Sequence, residues 1–365
     1  MRVLIGYGYF IGTTGTYFEA AFAKTDQATY VGTAGGNRPG FAANVDLAEL
    51  AQLLPTPPDL FVYVDSGSAS YFPRGLDRMP CPTVCYLIDT YPASTGMSNA
   101  LRLRMAPFFD YLFVSQKACC DLFSQARAGL PVRWLPLACD PLVQQDMGLE
   151  RIYDVGFVGA IGGPYADRRA AVERLEKRWR MNDFRRPYYG ADMARVYSQS
   201  RIVFNTTPSD TINMRIFEAP ACGALLLTKR ADNGQTDLLE EGEHFDTFGT
   251  VDELEDKVAY YLAHEDERER IARAGQQWVL THHTYDQRAD EILATVRSHP
   301  EENGRAPVRH WPQPVVRTRY ATLNSMLRML DATMDEWTAL RRLRAGRIGG
   351  TVELVKAVLR RVKYG

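Results

Sequence analysis

Short apolar runs recur along the first 140 positions, and segments of helix length separate several of them. The first run ends in glycines, which suits a buried strand of a parallel sheet. Strands that alternate with helices are typical of a doubly wound α/β fold. The predicted strands are RVLIGY (2–7), ATYVGTAGG (28–36), DLFVYV (59–64), PTVCYLI (82–88), DYLFVS (110–115) and VRWLPL (132–137).

The same pattern starts again near residue 153. It predicts a second α/β unit of similar size, so we expect a first domain over residues 1–150 and a second over 151–300. Its predicted elements are a strand with a glycine-rich exit (153–163), an amphipathic helix (166–179), a strand (200–207), a helix (215–223), a strand (224–228) and two helices (250–284).

The C-terminal segment 301–365 reads as a linker, a crossing helix and a basic tail. The polar, proline-rich stretch 300–314 predicts the linker. An apolar stripe at helical spacing follows, and then a tail with eight basic residues and one acid, Glu353. The tail fits peripheral contact with an anionic membrane surface, or packing on the first domain or on a second subunit as a homodimer. The stripe consists of Leu323, Met326, Leu327, Leu330, Met334, Trp337 and Leu340.

Composition narrows the class of protein. With 45% hydrophobic residues, 24% charged residues and a net charge of −1, the chain is ordinarily globular, and we expect no nucleic-acid partner. No leader and no run of about 18 uncharged apolar residues is visible, so we expect a cytoplasmic protein. The six cysteines contain no CxxC pair and have no histidine nearby in sequence, which predicts reduced, mostly buried thiols and no zinc site.

The stretch DTINMRIFEAPACGALLLT (210–228) carries the main candidate site. A helix beginning near Met214 or Arg215 offers free backbone N–H groups to phosphate oxygens, and the Arg215 guanidinium can fork onto a phosphate. Glu218, one turn in, is placed to accept hydrogen bonds from a ribose diol, and Asp210 would lie near a sugar. Alternatively, Asp210 only caps a loop and Glu218 is a solvated helix residue.

INMRIFEAPACGALLLT, followed by VDELEDKVAYYLAHEDERERIARAGQQWVLTHHTYDQRA, resembles the C-terminal domain of spore-maturation-protein type glycosyltransferases. That group is related to family 4 glycosyltransferases, which have the GT-B fold of two facing Rossmann-like domains. The resemblance covers roughly residues 153–292. It implies an enzyme that moves a sugar, of the hexosyl type, from a nucleotide-diphosphate-sugar held by the second domain to an acceptor hydroxyl on the first.

In family 4 enzymes two glutamates in an E-x7-E pattern serve the donor. Glu218 matches the second, which holds the ribose, and Asp210 replaces the first, which faces the sugar. The family's lysine–glycine pair is absent from GAIGGPYADRR, so another cation must contact the phosphates. The resemblance therefore implies a donor loop and clamp drawn from Gly159, Arg168, Arg169 and Arg215.

The first strand ends in a glycine-rich loop with Gly6, Gly8 and Gly12. Its spacing, G-x-G-x-x-x-G, is one residue longer than the dinucleotide fingerprint, and the predicted second strand lacks the acid that would hold a ribose. A nicotinamide-dependent dehydrogenase is therefore a weaker alternative. In a GT-B enzyme Gly8, Gly12 and Thr13 would line the cleft; otherwise the loop is a tight strand-to-helix turn.

An inverting transferase needs a base for the acceptor hydroxyl, whereas a retaining one mainly needs stabilisation of the leaving group. All six histidines (244, 264, 282, 283, 299 and 310) lie in the second half, so the first domain offers carboxylates instead. Asp89 is the preferred base or acceptor-orienting residue and Asp65 the second candidate, because each follows a predicted strand. Both also fit a purely turn-capping role.

No Asp-x-Asp occurs, the motif with which GT-A transferases hold a divalent cation. This favours a metal-independent GT-B enzyme without a cofactor, and the configuration at the sugar stays open. The expected acceptor is a carbohydrate, as in cell-surface polysaccharide synthesis, a lipid-linked molecule or a protein. The alternatives are a nucleotide-sugar epimerase of the same fold and a non-catalytic nucleotide- or carbohydrate-binding module.

Overall fold

The computed structural model describes residues 1–9, 13–25, 27–32, 45–65, 72–90, 97–161, 166–207 and 210–344. Within these residues two separate parallel sheets form, one before residue 135 and the other after residue 152. We call β1–β6 with α1–α4 the first unit, and β7–β10 with α5–α11 the second unit.

The first sheet has six parallel strands in the order β2-β1-β3-β4-β5-β6. Its central strands are mostly apolar because both faces are covered, and every residue of β3 is buried, including Asp65 at its end. The chain order reverses between β1 and β3, which makes this edge a topological switch point. The strands are β1 (Arg2–Tyr7), β2 (Gln27–Gly32), β3 (Leu60–Asp65), β4 (Thr83–Leu87), β5 (Tyr111–Val114) and β6 (Val132–Trp134).

Alternate residues of these strands enter two different cores. Val62 belongs to a core that includes α1 and reaches into the second unit, whereas Phe61 and Tyr63 point to the opposite face. The helices of the first unit are α1 (Thr14–Thr25), α2 (Leu47–Leu53), α3 (Met97–Met105) and α4 (Cys120–Ala126), with single 3₁₀ turns at Leu76–Arg78, Ala106–Phe108 and Lys117–Cys119.

The second sheet has four parallel strands in the order β10-β9-β8-β7, and a parallel bridge from Val155 to Met181 extends it. The strands are β7 (Tyr153–Gly156), β8 (Ser200–Asn205), β9 (Leu225–Lys229) and β10 (Asp246–Phe248). The helices are α5 (Ala166–Leu175), α6 (Ala191–Ser198), α7 (Arg215–Ala221), α8 (Gln235–Leu238), α9 (Val251–Ala263), α10 (Glu265–His282) and α11 (Tyr285–Ser298).

Helix α11 joins the two units. Tyr285 at its start lies against Tyr17 and Phe18 of α1, with ring centroids 5.2 Å apart in each case. Arg288 donates a hydrogen bond to the Pro136 carbonyl at 2.9 Å, which fixes α11 to the segment leaving β6. The chain then returns to the first unit through 3₁₀ turns at Pro300–Glu302 and Pro307–His310.

The last helix, α12 (Gln313–Arg344), packs back on the first unit. Leu323 and Leu327 of the predicted stripe are buried in the core on the α3 side of the first sheet, and Met326 packs against it. The side chains from Leu330 onward, and so the stripe positions Met334, Trp337 and Leu340, lie outside the described part, as does the tail 345–365.

Several expected boundaries differ from the structure for identifiable reasons. The predicted strand 132–137 ends at Trp134, because Pro136 has no N–H for a sheet ladder. The predicted helix 215–223 ends at Ala221, and Gly223 follows with a φ of +76°, a common way to end a helix. Residues 33–36 of the second predicted strand lie outside the described ranges.

Two predictions from composition concern the cysteines and membrane-spanning helices. All six cysteines are free thiols; five are buried and Cys120 is half-buried. Across the described ranges, no helix has both the length and the apolar character needed to cross a bilayer.

Candidate active site

Two neighbouring strands of the first sheet lead into the aspartates predicted as catalytic. Asp65 is the last residue of β3, and Asp89 follows the end of β4 by two positions. The strands pair in parallel with Asp65 opposite Leu87, so both carboxylates lie at the same edge of the sheet. Electrostatic coupling between the two aspartates follows from this placement.

Asp89 has an unusual backbone and an unusual charge environment. Its φ is +51°, a left-handed conformation that aspartate adopts more readily than most residues. Asp89 is partly exposed, but the surrounding protein desolvates its carboxyl and thereby raises the pKa. The charge of Arg102 opposes the rise, and that of Asp65 adds to it. A carboxylate with a raised pKa suits a general base.

Asp65 is engaged differently. Arg102 Nε donates to Asp65 Oδ2 at 2.5 Å, and both side chains are buried. A buried ion pair fixes the orientation of the carboxylate, and removal of either partner would leave an uncompensated buried charge. This makes Asp65 the weaker candidate for a base and gives it a role in shaping the charge around Asp89.

The start of α1 meets the start of α7 across the interface between the units. Thr13 accepts hydrogen bonds at its carbonyl from the N–H groups of Thr16 and Tyr17, at 2.9 and 3.3 Å, which places it at the head of α1. Thr14 Oγ1 donates to the Met214 sulfur at 3.8 Å, directly before α7. Gly8 is buried beside this region, and Gly12 lies outside the described residues.

Helix α7 is only seven residues long, with Pro220 inside it. Its first turn is closed by the Met214 carbonyl, which accepts from the N–H groups of Phe217 and Glu218 at 2.9 and 3.0 Å. So short a helix has few aligned peptide dipoles, so the sequence argument that its N-terminus grips a phosphate loses weight. The side chains around α7 therefore matter more than its dipole.

Glu218 is the most unusual of these side chains. It is 7% exposed, and no described residue donates a hydrogen bond to its carboxylate. Burial raises its pKa to about 7, and the positive charge of Arg215 opposes the rise. It is therefore not a solvated helix residue.

The neighbours of Glu218 come from both units. Its carboxylate adds to the effect of burial in raising the pKa of Tyr17 from α1. It also adds to the rise in the pKa of Tyr197 from α6, where burial dominates and Arg215 acts in the opposite direction. A buried carboxylate without donors is costly unless a ligand supplies them.

Arg215 is used differently from the sequence prediction. It donates to the Val158 carbonyl, to Asn205 Oδ1 at 2.6 Å and to Tyr197 Oη at 3.2 Å, and its side chain is buried. These bonds occupy three of its five N–H groups. Arg215 thus ties together the ends of β7 and β8 and the helix α6 rather than projecting toward solvent as a phosphate clamp.

Arg168 has a similar cross-linking role. Its guanidinium donates to the Ala160 carbonyl at 2.8 Å and to the Thr206 carbonyl at 2.7 Å, which joins the loops after β7 and β8. The neighbouring Arg169 donates to the Ile161 carbonyl at 3.2 Å and is exposed. Of the three predicted phosphate cations, Arg169 is exposed, whereas Arg168 and Arg215 are buried.

Gly159 lies where no side chain fits. A Cβ there would stand 2.6 Å from Arg215 Nη2. The glycine lines a cavity of about 290 Å³ between the loop after β7 and the segment before α6, whose wall also includes Phe184, Arg186, Tyr188 and Tyr189. The exposed, aromatic Tyr189 gives this cavity a surface on which a flat ring can stack.

A larger cavity of about 440 Å³ opens between the two units. Tyr17, whose pKa is raised by burial and further by the Glu218 charge, lines this cavity. Apolar and aromatic side chains with a few polar groups are typical of small-molecule sites. The lining includes Tyr9, Tyr17, Asp140, Leu142, Met147 and Gly190.

Asp210 also has a left-handed backbone, with a φ of +52°. Its Oδ1 accepts a hydrogen bond from the Asp232 N–H at 2.8 Å, which joins the loops after β8 and β9. The carboxylate thus caps a neighbouring loop, which is close to the alternative reading of the sequence. Among the described residues, none donates a hydrogen bond to its second oxygen.

Two buried polar atoms near the start of α7 have no hydrogen-bond partner in the described part of the chain. They are Thr13 Oγ1 from the first unit and Asn213 Oδ1 from the second. Unsatisfied buried groups are uncommon in native proteins and often mark a place where a ligand or water binds. Thr13 was predicted from the sequence, whereas Asn213, Tyr17 and the linker residue Asp140 were not.

A group of metal-ligating side chains lies elsewhere, in the return segment after α11. His299, Glu301 and Glu302 place ligand atoms within 4.8 Å of one another. Both oxygens of Glu302, however, accept from Arg133, at 3.1 and 2.5 Å. An arginine in bidentate contact occupies the site that a cation would need.

Comparison with known proteins identifies a matching family model and solved structures with a similar fold. Residues 146–294 match the family model described as glycosyl transferase-like. HepE from Anabaena, solved with UDP and glucose, aligns with a TM-score of 0.57 at 16% identity, over 82% of this chain and 100% of its own. The chain has the GT-B fold.

Two further solved structures share this architecture. Sucrose-phosphate synthase from Thermosynechococcus elongatus aligns with a TM-score of 0.54 at 10% identity, over 82% of this chain and 99% of its own. A putative UDP-N-acetylglucosamine 2-epimerase from Listeria monocytogenes gives 0.52 at 14% identity, over 84% and 99%. No significant match is found among curated proteins. These likenesses establish the GT-B fold, which the sequence predicted.

Proposed function

We propose that the protein is a glycosyltransferase that moves a sugar from a nucleoside-diphosphate-sugar to an acceptor hydroxyl. The observation that carries this proposal is Glu218, a buried carboxylate without a described hydrogen-bond donor, whose charge acts on Tyr17 in the wall of a cavity between the two units. A ribose diol supplies two donors to such a carboxylate. The match of residues 146–294 to a glycosyl transferase-like model supports the same assignment.

The donor would lie against the second unit. The 290 Å³ cavity beside Gly159 offers Tyr189 for a nucleobase to stack on, and Thr13 and Asn213 offer unpaired polar atoms near the start of α7. HepE, a protein of the same fold, was solved with UDP-glucose. A uridine nucleotide is therefore the first donor to test.

The acceptor hydroxyl would be activated from the first unit, with Asp89 as the proposed base. Asp65 and Arg102 set the charge around it. We further propose that the enzyme is related to family 4 transferases of the spore-maturation type and uses a hexosyl donor. The acceptor would be a carbohydrate, a lipid-linked molecule or a protein, and the basic tail would contact an anionic membrane surface. We also expect transfer without added divalent cation, since the chain contains no Asp-x-Asp.

Nucleotide binding by Glu218→Gln tests the donor site. Isothermal titration with UDP, GDP, dTDP and CMP should identify one preferred nucleotide for the natural protein. The variant should bind it about 10- to 100-fold more weakly, as expected for loss of a hydrogen-bonded charged group worth about 1.5–3 kcal/mol. Equal affinity in the two proteins would remove Glu218 from the site.

A nucleotide-sugar epimerase is the second candidate, favoured by the shared fold with the putative 2-epimerase from Listeria monocytogenes. Incubation with a UDP-sugar separates the possibilities. A transferase releases UDP and builds a product on an acceptor, or slowly hydrolyses the sugar without one. An epimerase converts the sugar to its epimer, whereas a binding module holds the nucleotide sugar without changing it.

A further inference from the structure

A short segment of the first unit contacts two loops of the second. Residues 115–119 follow β5 and include Gln116, which none of the sequence patterns singles out. They lie against the loop that leads into α7, at Ile212, and against the loop after β9, at Asn233. Both loops leave the carboxyl ends of strands in the second sheet, where the proposed donor site lies.

The Gln116 amide bonds to Ile212 as a neighbouring strand would. Its Nε2 donates to the Ile212 carbonyl at 2.7 Å, and its Oε1 accepts from the Ile212 N–H at 3.0 Å. Oε1 accepts a second bond from Asn233 Nδ2 at 2.6 Å, and Asn233 Oδ1 accepts from the Ala118 N–H at 2.9 Å. Gln116, Ile212 and Asn233 are each 3% exposed.

These bonds cross the interface and end on the donor side. Ile212 lies two residues before Met214, whose carbonyl closes the first turn of α7. Asp210 joins the same loop to the loop after β9 through the Asp232 N–H. The position of the first unit is thereby coupled to the loop that leads into α7, the helix that carries Glu218.

The hydrogen bonds of Gln116 with Ile212 and Asn233 form in only one relative position of the two units. Two side-chain amides and three backbone groups satisfy one another in a buried place, so a small displacement leaves several of them unpaired. An exposed ion pair between charged side chains would tolerate such a shift. The contact therefore favours the closed arrangement of the two units over an open one.

We propose that Gln116 is a positioning residue that latches the first unit onto the loop Thr211–Met214 and thereby holds the donor site in its binding geometry. The inference rests on the proposed function, since it concerns the same donor site. Without the latch, the two units spend more time apart, and part of the binding free energy of the donor is used to bring them together. Once bound, a saturating donor restores the closed arrangement.

The test compares Gln116→Leu, which keeps the bulk and removes all three bonds, with Lys117→Ala. Lys117 is the matched control because it lies in the same segment, but its bond to Asp237 is between exposed side chains, 53% and 46% accessible. Gln116→Leu should raise the donor KM about tenfold and leave kcat within about twofold, because apparent affinity falls with the closed fraction. Lys117→Ala should match the natural protein in both.

Small-angle X-ray scattering supplies a readout that does not depend on catalysis. Without ligand, Gln116→Leu should show a larger radius of gyration than the natural protein, and saturating nucleotide should abolish the difference. Unchanged scattering together with an unchanged donor KM would overturn the latch. A fall in kcat, the rate at saturating donor, by much more than about twofold would also overturn it, since that result indicates general damage.

Two further variants keep the outcome interpretable. If Gln116→Leu fails to fold, Asn233→Ala removes two bonds of the same network and should shift KM and scattering in the same direction. If Glu218→Gln weakens nucleotide binding but neither latch variant changes KM, the latch is wrong and the proposed function stands. If Glu218→Gln changes nothing, the proposed donor site is wrong, and scattering alone then decides whether Gln116 holds the units together.

Discussion

Replacement of Glu218 by glutamine should make the free protein more stable at neutral and alkaline pH. The folded protein disfavours the ionised carboxylate, because burial raises the pKa of Glu218 from 4.5 to about 7. The difference between these two pKa values corresponds to about 3 kcal/mol, since a tenfold change in an equilibrium constant is worth about 1.36 kcal/mol. This is the free energy that glutamine, which cannot ionise, would recover.

The sign of the pH dependence follows from proton counts. Between pH 4.5 and about 7 the unfolded chain has lost the Glu218 proton while the folded protein keeps it. The folded state then binds more protons, so its stability falls as pH rises, with the full cost present above pH 7 and none below 4.5. The stability advantage of Glu218→Gln should therefore be near zero at pH 4.5 and reach about 3 kcal/mol by pH 8.5.

Thermal and urea unfolding of the two proteins at the same series of pH values measures this difference, and other titrating groups cancel in the comparison. Glu243→Gln is the control: that carboxylate is exposed and paired with Arg270 at 2.7 Å, so its loss should cost no more than about 1 kcal/mol at any pH. A Glu218→Gln advantage that is independent of pH, or a loss of stability at pH 8.5, would refute the burial argument.

Three further outcomes are expected. Asparagine tolerates the same left-handed backbone as Asp89, so the nucleotide affinity of Asp89→Asn, measured by titration, should stay within about twofold of the natural value. Transfer, measured by product formation, should fall at least about 100-fold. Full transfer would dismiss Asp89 as the base. Arg102→Met leaves Asp65 buried without its partner and should cost about 3–5 kcal/mol in urea unfolding, and adding Asp65→Asn should recover much of the loss. Nucleotide affinity of the natural protein should rise between pH 6 and 8, because ribose hydroxyls donate best to an ionised carboxylate. In Glu218→Gln the affinity should change much less over the same pH range.

The sequence predicts the fold well because its strands are buried on both faces. Continuous apolar runs such as that of β3 stand out, and their alternation with helices leaves few topologies. It also indicates that Asp65 and Asp89 share an edge, since both follow strands that pair in parallel. These inferences need only the order of the elements and the direction of each strand.

What the sequence does not reveal is how polar side chains are used between distant segments. Arg215 has the right position for a phosphate, but the carbonyl of Val158 and the amide of Asn205 take its donors. Gln116 bonds to Ile212 and Asn233, which lie 96 and 117 positions away, and an isolated glutamine after a strand gives no local pattern. Such pairings depend on the packing of two sheets against one another.

The contrast between Glu218 and its neighbour Arg215 is the strongest argument for a ligand at this place. Arg215 is as buried as Glu218, yet acceptors from three segments surround it, so its burial costs little. Glu218 has no described donor, and burial disfavours its ionised form. Since the fold surrounds Arg215 with acceptors, it could also have placed a hydrogen-bond donor beside Glu218. An apolar residue at position 218 would have avoided the cost as well. The cost is understandable if a ligand supplies the missing donors, because each bond made to a desolvated carboxylate then adds to affinity rather than to the stability of the empty site.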